Sequence, residues 1–65
     1  MEIATIRFSD RESGDEAVVV VRAIGETTGL ALSLMKSGDV EVFFGVEQLD
    51  QLMGALQKAR GLLAT

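Results

Sequence analysis

Along the first 44 residues apolar and polar side chains tend to alternate with a period of two, and from residue 46 onward the period lengthens to three or four. Period-two alternation places successive side chains on opposite faces of a pleated strand. It predicts strands over Glu2 to Phe8, Ala17 to Ile24, Gly29 to Met35 and Asp39 to Phe44. The second run is built around Val18-Val19-Val20-Val21, whose branched side chains are stiff at χ1 and suit a sheet better than a helix. Between Val46 and Leu63, Leu49, Leu52, Met53, Leu56, Ala59 and Leu63 form one arc at about 100° per residue, with Glu47, Asp50, Gln51 and Lys58 opposite. Gly45 stands as the N-cap, acids occupy the first turn, and Lys58 and Arg60 lie near the last, as the helix dipole prefers. The predicted fold class is α+β: a four-stranded antiparallel β-sheet followed by one C-terminal α-helix packed on one face (ββββα), a single domain over residues 1–65.

The turn Lys36-Ser37-Gly38 sets an expected register. A two-residue loop of Ser37 and Gly38 would place Leu34 beside Glu41 and mix the two faces. A three-residue loop with Gly38 in the left-handed region pairs Met35 with Asp39, and so sets Leu34 beside Val40, Leu32 beside Val42 and Leu30 beside Phe44. With Ala4, Ile6 and Phe8 these residues make the face expected under the helix. The opposite face of a one-sided sheet should be polar. Here it would carry Ile3, Thr5, Arg7, Ala31, Ser33, Met35, Glu41 and Phe43. Strand two adds either Ala17, Val19, Val21 and Ala23 or Val18, Val20, Arg22 and Ile24, both largely apolar. One helix cannot cover two faces, so an apolar patch of about several hundred Å² is expected in water, and patches of that size mark interfaces. The expected self-association surface is Ile3, Val18, Val20, Ala31, Met35 and Phe43, with a homodimer favoured over higher oligomers.

Composition strengthens the case for association. A domain of about 60 residues buries only ~60% of its unfolded surface and usually needs a disulfide, a metal or a partner subunit. The chain has no Cys and no His, which removes disulfides and the common zinc sites. It also lacks Pro, Trp, Tyr and Asn, while apolar residues make up 48%. Its hydroxyl groups have no His to activate them and its carboxylates cluster in turns, so no catalytic, cofactor or metal residue is expected and the protein is read as a non-enzyme. The turn from Ser9 to Glu16 departs from a calcium loop, with its glycine one position early and Val21 where the closing glutamate belongs. It is read as a solvated hairpin connection. The segment Gly25-Glu26-Thr27-Thr28-Gly29 joins two strands and opens no helix, so it is no phosphate loop. No apolar run approaches the roughly 20 residues of a membrane span and the first residues carry no basic leader, so a soluble cytoplasmic protein without membrane contact is expected.

The formal net charge is −4, which argues for solubility and against a polyanionic partner. The ββββα order, with its helix starting at Gly45-Val46-Glu47-Gln48-Leu49, nevertheless resembles the topology of the Pur-alpha repeat and of Whirly-type single-stranded nucleic-acid-binding proteins. Members of those groups dimerise and bind strands on sheet surfaces. For this chain the resemblance implies Arg7, Arg22 and Phe43 as contacts on the open face, opposed by Asp39 and Glu41. The leading expectation is a small acidic, non-catalytic module that self-associates and binds another protein; the alternative is a single-strand binder using that face.

Overall fold

A six-residue connection and two tight turns fold the alternating part of the chain back on itself, and the change of period after Gly45 starts the helix. In a computed structural model, which describes residues 1–63, the elements are β1 (Glu2–Ser9), β2 (Glu16–Ile24), β3 (Thr27–Leu34), β4 (Gly38–Phe44) and α1 (Val46–Leu62). The strands form one antiparallel sheet in the order β1-β2-β3-β4, followed by the single C-terminal helix, so the ββββα expectation holds.

The β3–β4 register differs from the expected one by two residues: Leu34 pairs with Gly38, Leu32 with Val40, Leu30 with Val42 and Thr28 with Phe44. The reason lies in the turn. Ser37 N–H donates to the Leu34 carbonyl at 3.0 Å and Gly38 takes φ +87°, so β3 stops at Leu34 and Met35 becomes a turn residue. A slip of two leaves every side chain on its expected face, because the strand repeat is two. Ala4, Ile6 and Phe8 therefore share a face with Leu30, Leu32, Leu34, Val40, Val42 and Phe44, joined across β2 by Ala17, Val19, Val21 and Ala23.

The helix lies on that face but covers only part of it. Gly45 keeps an extended conformation (φ −80°, ψ 178°), its carbonyl accepts from Leu49 N–H at 3.0 Å, and the helix leaves β4 from there. It touches β3 and β4. Leu49 and Leu52 are half-buried, and every described residue from Met53 onward is exposed. Among the described residues the only side chain less than a tenth exposed is Ala17, at 6%. The chain keeps 5309 Å² of accessible surface, whereas a compact monomer of 6.9 kDa exposes about 4,000 Å². Its radius of gyration, 13.1 Å, likewise exceeds the roughly 11 Å of a compact chain of this length. None of the helices among the described residues is long and apolar enough to cross a membrane.

At the far end of the sheet the β1–β2 turn is organised by one carboxylate. Asp10 accepts from the Ser13 amide at 2.7 Å, the Ser13 hydroxyl at 2.9 Å and the Glu12 amide at 3.2 Å. These donors, the Ser13 amide foremost, hold its carboxyl below the usual carboxylate range. Because the folded value is the lower one, the turn's contribution is complete above the ordinary value near 3.9 and is lost as pH falls through the lowered one. Asp15 and Glu16 serve the turn mainly through their backbones: Asp15 O accepts from Asp10 N–H at 2.8 Å and Glu16 O from Met35 N–H at 3.1 Å. The Asp15 carboxylate reaches only the exposed Lys36, at 3.8 Å, and such a pair contributes little. In thermal melts at neutral pH, Asp10→Ala should therefore lower the melting temperature and weaken the loss of stability in acid, while the double change Asp15→Ser, Glu16→Ser leaves both nearly unchanged. Equal effects of the two variants would contradict this account of the turn.

Candidate binding surfaces

The face turned away from the helix is built from three cross-strand rows. They are Arg7, Val18, Ser33 and Asp39; Thr5, Val20, Ala31 and Glu41; and Glu2, Arg22, Gly29 and Phe43. Four of the six predicted interface residues, Val18, Val20, Ala31 and Phe43, thus lie together. Ile3 does not. The β1–β2 register shifts between Glu2 and Ala4, leaving Ile3 as the extra residue of a bulge, and its side chain lines the space beneath the helix with Val21 and Leu49. Met35 falls outside the face as well, since it lies in the turn beyond β3 and is 71% exposed.

Gly29 shapes the middle of this face. A Cβ there would come within 3.0 Å of both Phe43 Cε2 and Glu41 Oε2, so the missing side chain is the space into which the Phe43 ring and the Glu41 carboxylate lean. Over the same gap Arg22 Nη1 donates to Glu41 Oε2 at 3.0 Å and to Oε1 at 3.2 Å, tying β2 to β4 across the intervening strand. Both side chains are partly solvated, so the pair adds little stability; its main effect is to cancel one of the cations expected to meet nucleic acid. Phe43 remains half-exposed beside it.

The helix side carries the larger open apolar surface. Under the helix, Ile3, Val21, Leu30, Leu49, Leu52 and Leu56 line a groove of about 340 Å³. At the opposite end Phe8, Ala17, Val19, Leu32 and Leu34 line a second hollow of about 260 Å³ that the helix does not reach. Leu32 and Val40 are 49% and 58% exposed there. Hydrocarbon dominates both linings, so these surfaces bind by burying apolar area. Sequence reasoning missed this opening, although a signal was present: the helical arc of six apolar residues is narrower than a face carrying more than a dozen.

Comparison with protein-family models, with curated proteins and with solved structures finds no match to this chain.

Proposed function

We propose that this protein is a small, non-catalytic module that self-associates and works by binding another protein through the open face of its sheet. The observation that carries the reading is the surface left in water: about 1,300 Å² beyond that of a compact monomer, against roughly 800 Å² that each partner contributes to a standard stable interface. The open face has the layout of a recognition patch. Val18, Val20 and Ala31 form an apolar strip and Phe43 an exposed ring on the edge strand, with the Arg22–Glu41 pair between them and Arg7 and Asp39 at the far end. A chain without Cys suits a reducing compartment, and the cytosol is the proposed setting.

Two measurements test the reading. Immobilised wild-type chain should retain a protein ligand that the Phe43→Glu chain loses, because the substitution puts a charge where ligand binding would desolvate the ring, while both chains keep the same assembled mass. Equal retention by the two chains would contradict it. An oligo-dT strand should show no binding at physiological salt, since Glu41 neutralises Arg22 and only Arg7 remains as a cation among the three implied contacts. Micromolar, salt-sensitive binding reduced by Arg7→Ala or Phe43→Ala would instead establish the single-strand reading.

A further inference from the structure

The groove, the far hollow and the projecting helix lie on one side of the molecule, and we propose that their occupant is a second copy of this chain. In this arrangement the C-terminal half of each helix lies across the uncovered end of the other copy's sheet. The assignment rests on the self-association reading and adds to it which surface is used.

Three features support this arrangement. Each chain has both an apolar surface without cover and an apolar element without a seat: the sheet end around Phe8, Leu32 and Val40, and the helix-arc residues Met53, Leu56 and Leu63, the last 64% exposed. A two-fold axis satisfies both at once, because in an isologous contact whatever one copy inserts the other inserts too. The area also suffices, since the surplus surface of one chain exceeds one partner's share of a stable interface.

Charge orients the contact. From Gln51 to Leu63 the helix carries Lys58 and Arg60 and no acid, its acids being confined to Glu47 and Asp50 near the start. The uncovered sheet end is flanked by the β1–β2 turn with Asp10, Glu12, Asp15 and Glu16 against Arg11, and by Lys36 of the β3–β4 turn at 3.8 Å from Asp15, so acids remain in excess there. A partner helix laid over that end brings its basic half toward these acids. Such complementarity fixes register more than it adds affinity. The open face stays free in this dimer and remains available to a protein ligand.

Sedimentation of wild type and three variants tests the assignment. Leu63→Asp changes a largely exposed side chain at the end of the helix's apolar arc, and Val40→Asp alters the exposed edge strand. Each should weaken association at least tenfold, while Phe43→Glu on the open face leaves it unchanged. As a check that needs no variant, wild-type protein mixed from light and heavy isotopic copies and treated with a carbodiimide should give cross-links from Lys58 of one copy to acids in residues 10–16 of the other. Assembly lost with Phe43→Glu but kept with the other two variants, or intermolecular cross-links that never involve Lys58, would overturn the assigned surface while leaving self-association intact. A wild-type chain that sediments as a monomer would overturn the self-association reading as well.

Discussion

Tenfold dilution of the protein should lower its melting temperature by roughly 5 °C, and the shift should recur with each further decade. For a folded dimer in equilibrium with unfolded chains, each decade of concentration changes the stability of the pair by about 1.4 kcal/mol, and for a unit of this size 1 kcal/mol moves the midpoint by roughly 4 °C. The effect is expected because Ala17 is the only side chain less than a tenth exposed among the described residues, too little core for a lone chain. Circular dichroism melts from low to high micromolar chain concentration read it directly. A midpoint that does not move with concentration would mean that the chain folds without a partner.

At fixed chain concentration, Leu30→Ala should destabilise the protein by about 2–3 kcal/mol, toward the lower end of the range for buried leucines because Leu30 is only half-buried. Leu30 sits on the inner strand β3, lining the groove with Leu49 and Leu52, so its loss removes apolar surface beneath the helix. Gln51→Ala on the exposed side of the same helix should stay within about 0.5 kcal/mol. Urea titrations of the two variants distinguish the cases. A similar, small effect for both would show that the helix adds little to folding and is not held where the groove places it.

The fold was readable wherever a local period decided it. Alternation along Ala4, Ile6 and Phe8 and along Leu30, Leu32 and Leu34 assigned the helix-side face correctly, and the arc from Leu49 to Leu56 identified the helix surface turned to it. Ile3 escaped because a bulge adds one residue to the strand, and period-two reasoning carried past it assigns the wrong face. Met35 and the two-residue slip escaped for a different reason: the face pattern fixes only the parity of a register, and the hydrogen bonds of the turn choose among those of equal parity. The Arg22–Glu41 pair joins strands that are not neighbours, so cross-strand reasoning had no route to it, and the sequence pattern puts Gly29, which makes room for it, at the start of the third strand and not inside it. How far the helix reaches along the sheet depends on its direction at Gly45, which its apolar arc does not encode. The half-covered face is therefore a property of the fold that composition only hinted at, through a chain with no disulfide or zinc ligands to compensate for its size.

Sedimentation equilibrium of the unmodified chain is the most direct measurement of the central claim, since every surface assignment depends on whether two copies meet. At micromolar concentration the protein should sediment at twice its 6.9 kDa chain mass, whereas a folded species at 6.9 kDa with no tendency to associate as concentration rises would contradict the account.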